Sequence, residues 1–88
     1  MAKTLGTEQH KALIAMLIAK REVAGITQAE LAKALGEYQS FIARLESGQR
    51  RVDVIELIQI ANILGFTASQ IVKEIELMGQ NANSGLRD

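Results

Sequence analysis

Side chains able to hydrogen-bond outward gather on one side of the stretch Gln39–Ser47, QSFIARLES. At about 100° per residue, Gln39, Ser40, Ala43, Arg44 and Ser47 share one sector of a helix. Phe41, Ile42 and Leu45 share the opposite sector and must face a core. Glutamine and arginine can each bond a purine edge through two atoms at once, and a major groove is wide enough to admit a helix. Gln39, Ser40 and Arg44 are therefore expected at bases, with Ser47 at a phosphate or a base edge. The competing explanation is a polar face turned to bulk water. After Gly48 comes Gln49-Arg50-Arg51. Arginines in such a place hold backbone phosphates and set register without reading sequence; the alternative is a solvated charged turn.

No catalytic constellation accompanies this face. His10 is the sole histidine and is expected on an exposed early helix turn, as a solvated side chain. Cysteine is absent, so neither a thiolate metal site nor a disulfide can form. Glu74 and Glu76 stand two apart on a helix and face different directions, which defeats a carboxylate pair. No glycine-rich phosphate loop is present. The expectation is a chain that is not an enzyme, with no metal and no cofactor.

The elements that must hold the outward face follow from periodicity and stop signals. Thr27 with Glu30 forms a capping box that starts a short helix carrying Leu31, Ala32 and Leu35 on one stripe. Gly36 ends it in a sharp turn, and the base-facing helix begins near Gln39. Upstream, a Thr7 cap opens a helix to about Ala24, with Leu13, Ile14, Leu17 and Ile18 inward. Arg21 falls in the middle of that apolar stripe. A guanidinium buried there needs a carboxylate, unless it snorkels to water. Downstream, Asp53 caps a helix from Val54 to Leu64 whose apolar residues spread over more than one face, implying burial on two sides. Thr67 and Gln70 suggest a further capping box, opening a last helix to about Met78. Leu77 falls outside that helix's stripe. The sum is an all-α chain of five helices: an arm over residues 1–6, a domain over 7–79, and a polar, flexible tail over 80–88.

Size and charge narrow the class. With 88 residues the chain makes one domain. Ten basic and ten acidic residues cancel, yet their placement is uneven. From Lys20 to Arg51 six basic residues face four acidic ones, a net of +2; from Val52 to Asp88 two face five, a net of −3. Positive potential on the motif side suits a single face meeting phosphate. No apolar run is long enough to span a membrane, and the start, MAKTLGTEQ, lacks the apolar core of a signal peptide. A cytoplasmic protein without a membrane partner is expected.

The strings KREVAGITQAELAKALG and QSFIARLESGQRRVDVIELIQIANILG resemble the lambda-repressor-like (XRE/Cro-type) helix-turn-helix DNA-binding family over about His10 to Val72. Ala32, Gly36, Ile42 and Leu45 stand where that motif wants a small residue, a turn glycine and two core apolars. Glu37 and Tyr38 depart from it, since the commonest pattern has an apolar residue and then a capping serine or threonine. The resemblance implies that Arg21 pairs with Glu46, fixing the recognition helix against the first helix. It also implies that the Gln28 amide bonds a phosphate and braces the first base-reading residue, although Gln28 can equally be a plain helix start. The function implied is a sequence-specific transcriptional regulator on double-stranded DNA, a dimeric repressor joined through its C-terminal helices. The alternative is an antitoxin-like or protein-interaction module on the same fold, with a protein partner and DNA secondary.

Overall fold

Five helices and no strand make up residues 7–83, the part of the chain described by the computed structural model. They are α1 (Glu8–Val23), α2 (Gln28–Leu35), α3 (Gln39–Glu46), α4 (Val54–Leu64) and α5 (Ala68–Asn83). The expected arm over 1–6 and the end of the expected tail, 84–88, lie outside the described residues.

Local chemistry sets most boundaries. The Thr7 hydroxyl accepts from His10 N–H and starts α1. Reciprocal capping boxes start α2 (Thr27 with Glu30) and α4 (Asp53 with Glu56), each satisfying two orphan donors. The Thr27 backbone N–H, helped by its hydroxyl, holds the Glu30 carboxyl below the ordinary carboxylate value. At Thr67 the start of α5 instead shows Gln70 N–H bonding the Thr67 carbonyl at 3.2 Å. Four helices end alike: Ile26, Glu37, Gln49 and Phe66 each send an N–H back to a carbonyl five residues earlier. Gly36 makes this ending possible between α2 and α3, because its φ of 75° is one that a side chain would strain.

Two clusters share the interior. Ile14 and Leu17 of α1 meet Leu45 of α3 with Leu57 and Ile60 of α4, while Leu31 and Ala32 of α2 close on Ile42 of α3. Helix α3 thus contributes to both, and its Ile42 and Leu45 are almost wholly buried. Sequestering side chains of this size is worth roughly 1.5–3 kcal/mol each. The short α3 therefore owes its stability to packing and not to length.

Three expectations need correction. Helix α5 does not end near Met78 but runs on to Asn83. Gly79 is buried against α1, where a Cβ would lie 2.3 Å from Gln9 Nε2. His10 is buried as well, on the same face of α1 as Ile14 and Leu17, and its Nε2 has no hydrogen-bond partner among the described residues. Helix α4 is buried on one side only. Leu57, Ile60 and Ala61 face the core, whereas Val54, Ile55 and Ile58 remain exposed. Together with Val72, the first and last of these border an open groove between α4 and α5.

Candidate nucleic-acid interface

The outward sector of α3 takes the form its spacing predicts. Gln39, Ser40, Arg44 and Ser47 are exposed, and Ala43 between them is half-buried. Among the described residues the side chains of Ser40 and Arg44 find no intramolecular partner. Ser47 differs from the others because it is the C-cap of α3, and its Oγ donates to the Arg44 carbonyl at 3.1 Å. Tyr38 occupies the N-cap without any side-chain hydrogen bond and is 85% exposed. A serine or aspartate there would satisfy an orphan N–H. Glu37 beside it is also exposed.

Behind this face runs a chain of polar contacts. Arg21 donates from Nε to Glu46 Oε2 at 2.6 Å and from Nη2 to Glu46 Oε1 at 3.0 Å. Its Nη1 reaches the Ile26 carbonyl at 2.9 Å, so one guanidinium ties α1, the loop after it and the end of α3. The side chains are only 14% and 7% exposed, and the glutamate bond, opposed by burial, holds the arginine above its ordinary value. Gln28 Nε2 donates to Glu46 Oε1 at 2.9 Å. Gln39 Nε2 approaches Gln28 Oε1 at 3.5 Å, a long and weak bond. The sequence Arg21, Glu46, Gln28, Gln39 therefore links the buried ion pair to the first residue of the outward face. The Gln28 amide is engaged at both ends within the protein. What it offers outward is its backbone position at the positive end of α2.

The two loop arginines part company. Arg51 is exposed. Arg50 is folded back, with Nη1 and Nη2 each 3.1 Å from one oxygen of Glu56. Its guanidinium carbon lies 4.3 Å from the centre of the Phe41 ring. Expected at a phosphate, Arg50 is occupied by the protein itself. Glu56 escaped sequence reasoning, which identified Asp53 as the cap of α4 and assigned Glu56 no partner. The signal that could have revealed it is the spacing of six residues between Arg50 and a carboxylate at the start of α4.

No helix among the described residues is long and apolar enough to cross a membrane. A helix-turn-helix family model matches residues 17–71. Among solved structures, an XRE-family-like protein from Pseudomonas syringae pv. tomato str. DC3000 is 38% identical, with a TM-score of 0.74 over 80% of this chain and 85% of that one. The clp gene regulator ClgR from Corynebacterium glutamicum is 27% identical, with a TM-score of 0.70 over 80% of this chain and 91% of that one. A second structure of that regulator gives the same identity and TM-score over 91% of this chain and 87% of the other. Curated protein sequences yield no match. The matched residues run from the second half of α1 into α5 and take in the turn, the outward helix and both arginine–glutamate pairs. On that match, and on a relative sharing more than a third of its residues, this chain belongs to the XRE-type helix-turn-helix family.

Proposed function

We propose that the chain is a sequence-specific DNA-binding transcriptional regulator that represses as a dimer, with α3 lying in the major groove. One observation carries the reading: a helix fully buried on one side presents Gln39, Ser40 and Arg44 unburied on the other. Solvent needs no such arrangement, since any polar residues would serve it. Gln39 and Arg44 are matched to purine edges by two-atom bonds, and Ser40 to either partner of a pair. Arg51, Ser47 and the backbone at Gln28 take phosphates, the last because a helix N-terminus favours anions. The Corynebacterium glutamicum neighbour is described as a gene regulator, which supports a regulatory role here.

A single module buries too little surface for high specificity. Two copies on half-sites roughly 34–36 Å apart remove that limit. The exposed apolar residues Val54, Ile58 and Val72, with Leu77 further along α5, are the surface we assign to the partner copy. Selection of bound duplexes from a random pool tests the reading. The expected result is one short motif recovered as an inverted repeat. A retained pool with no enriched motif would overturn base reading, and a single unrepeated motif would overturn the dimer.

The same apolar surface, with Glu37 exposed beside the recognition helix, supports a second reading as an antitoxin-like protein-interaction module. A stoichiometric protein complex that survives nuclease, from a chain that enriches no DNA motif, would favour it.

A further inference from the structure

Arg50 has the charge and the position of a phosphate ligand, but its neighbours give it another task. Both terminal nitrogens donate to Glu56, and the guanidinium carbon lies over the Phe41 ring. We infer that Arg50 is a positioning residue, a clasp that fixes the recognition helix α3 against α4, and not a ligand of the DNA backbone. The inference rests on the DNA-binding reading above and assigns one residue of that interface a different role.

Three features of the contact support the clasp. First, its acceptor is fixed in advance. Glu56 takes the Asp53 N–H at 3.1 Å and sends its own N–H to Asp53 Oδ1 at 2.7 Å, so the capping box holds the carboxylate before Arg50 arrives. Less entropy is then lost when the pair forms. Second, the stacking partner belongs to α3 itself. Phe41 is flanked in sequence by Ser40 and precedes Arg44 by less than one turn, so a shift of its ring is a shift of the base-facing residues. Third, the charge is paired inside the protein. A phosphate could use only the N–H groups that Glu56 leaves over, and would meet a cation already bonded to a carboxylate at two points.

The pair is also too exposed to be a major source of stability, with side chains 31% and 22% accessible. Its contribution is geometric: it joins α3, the loop and the start of α4 in one contact. Lysine cannot take the part, because an ammonium offers neither a fork for two oxygens nor a plane to lie on a ring.

The test uses the full chain with Arg50→Lys, Arg50→Ala and Glu56→Gln, on a selected duplex and a scrambled one, across a range of salt. Glutamine at position 56 keeps the capping bond but loses the ion pair. A clasp predicts that Arg50→Lys behaves like Arg50→Ala, each losing roughly tenfold on the selected duplex, the order of one charge-assisted bond pair. It predicts that Glu56→Gln weakens binding too, and that the dependence of affinity on salt is unchanged by Arg50→Ala. A phosphate ligand predicts the reverse. Arg50→Lys would then restore binding, Arg50→Ala would lower the salt slope by about 0.9, and Glu56→Gln would bind more tightly by releasing a cation. That pattern, or no change in any variant, overturns the clasp. Should the wild-type chain prefer no duplex, the DNA reading fails on its own. The clasp is then decided by NMR of the free chain with Arg50→Ala: amide shifts that reach Phe41, Ser40 and Arg44 on α3 support it, and shifts confined to the residues beside position 50 sink it.

Discussion

The two ends of α3 are held in opposite ways. At its C-terminal end Glu46 receives Arg21 and Gln28, and the adjoining loop is drawn onto Glu56 through Arg50. At its N-terminal end Tyr38 caps nothing, and Gln39 has one long bond to Gln28. Ion pairs and packing fix the direction of the helix from behind, while the end proposed to enter a groove stays uncommitted. Side chains already satisfied internally would have to break those bonds before meeting a base. Free ones incur only the loss of water and rotamer freedom.

The comparison breaks most sharply at the anchored end. Glu46→Ala leaves a nearly buried guanidinium with a backbone carbonyl as its remaining partner, and should cost about 3 kcal/mol of stability by denaturant titration. A loss below about 1 kcal/mol, the range of an exposed pair, would show that the anchor is not buried in solution. Gln28→Ala removes the link between the two ends. It should cost about 1 kcal/mol and, on DNA, broaden preference mainly at the base pair met by Gln39. Preference lost equally at every position would point to a general tilt of α3 instead.

At the open end the sign reverses. Tyr38→Ser supplies the missing N-cap and should stabilise the fold by roughly 0.5–1 kcal/mol, at no gain in DNA affinity. Destabilisation would mean that the tyrosine ring packs in solution. The smallest effect is in acid. Glu30 has its carboxyl held below the ordinary value in the folded state, so its stabilisation is complete above the unfolded value and disappears as pH falls through the folded one. Glu30→Gln should remove that component of acid sensitivity, measured as the difference in thermal midpoint between neutral pH and the pH range below ordinary carboxylate titration. Identical acid slopes for the two proteins would contradict the capping account.

Much of this was legible in the residues because it is local. The capping box at Thr27, the cap at Asp53, the left-handed turn at Gly36 and the odd charge of Arg21 in an apolar stripe all follow from neighbours a few residues away. The identity of Arg21's partner came only through family likeness, since a pair separated by 25 positions leaves no local trace. What escaped was decided by contacts across the chain. The polar residues after Met78 look like a tail until α5 is seen to continue through Gly79, packed beside Gln9 of α1, to Asn83. His10 looks solvated until its register with Ile14 and Leu17 is taken seriously, four and seven residues on. Arg50 looks like a free cation because a carboxylate used as a cap does not advertise a second bond.

The most direct test compares the wild-type chain with Gln39→Ala/Arg44→Ala on a selected duplex and on a set carrying single base-pair changes. The account predicts that wild type loses about 1–3 kcal/mol at particular base pairs, and that the double variant loses this discrimination there while keeping its fold and its residual affinity. A double variant that still ranks the duplexes as wild type does would show that the outward face of α3 is not what reads them.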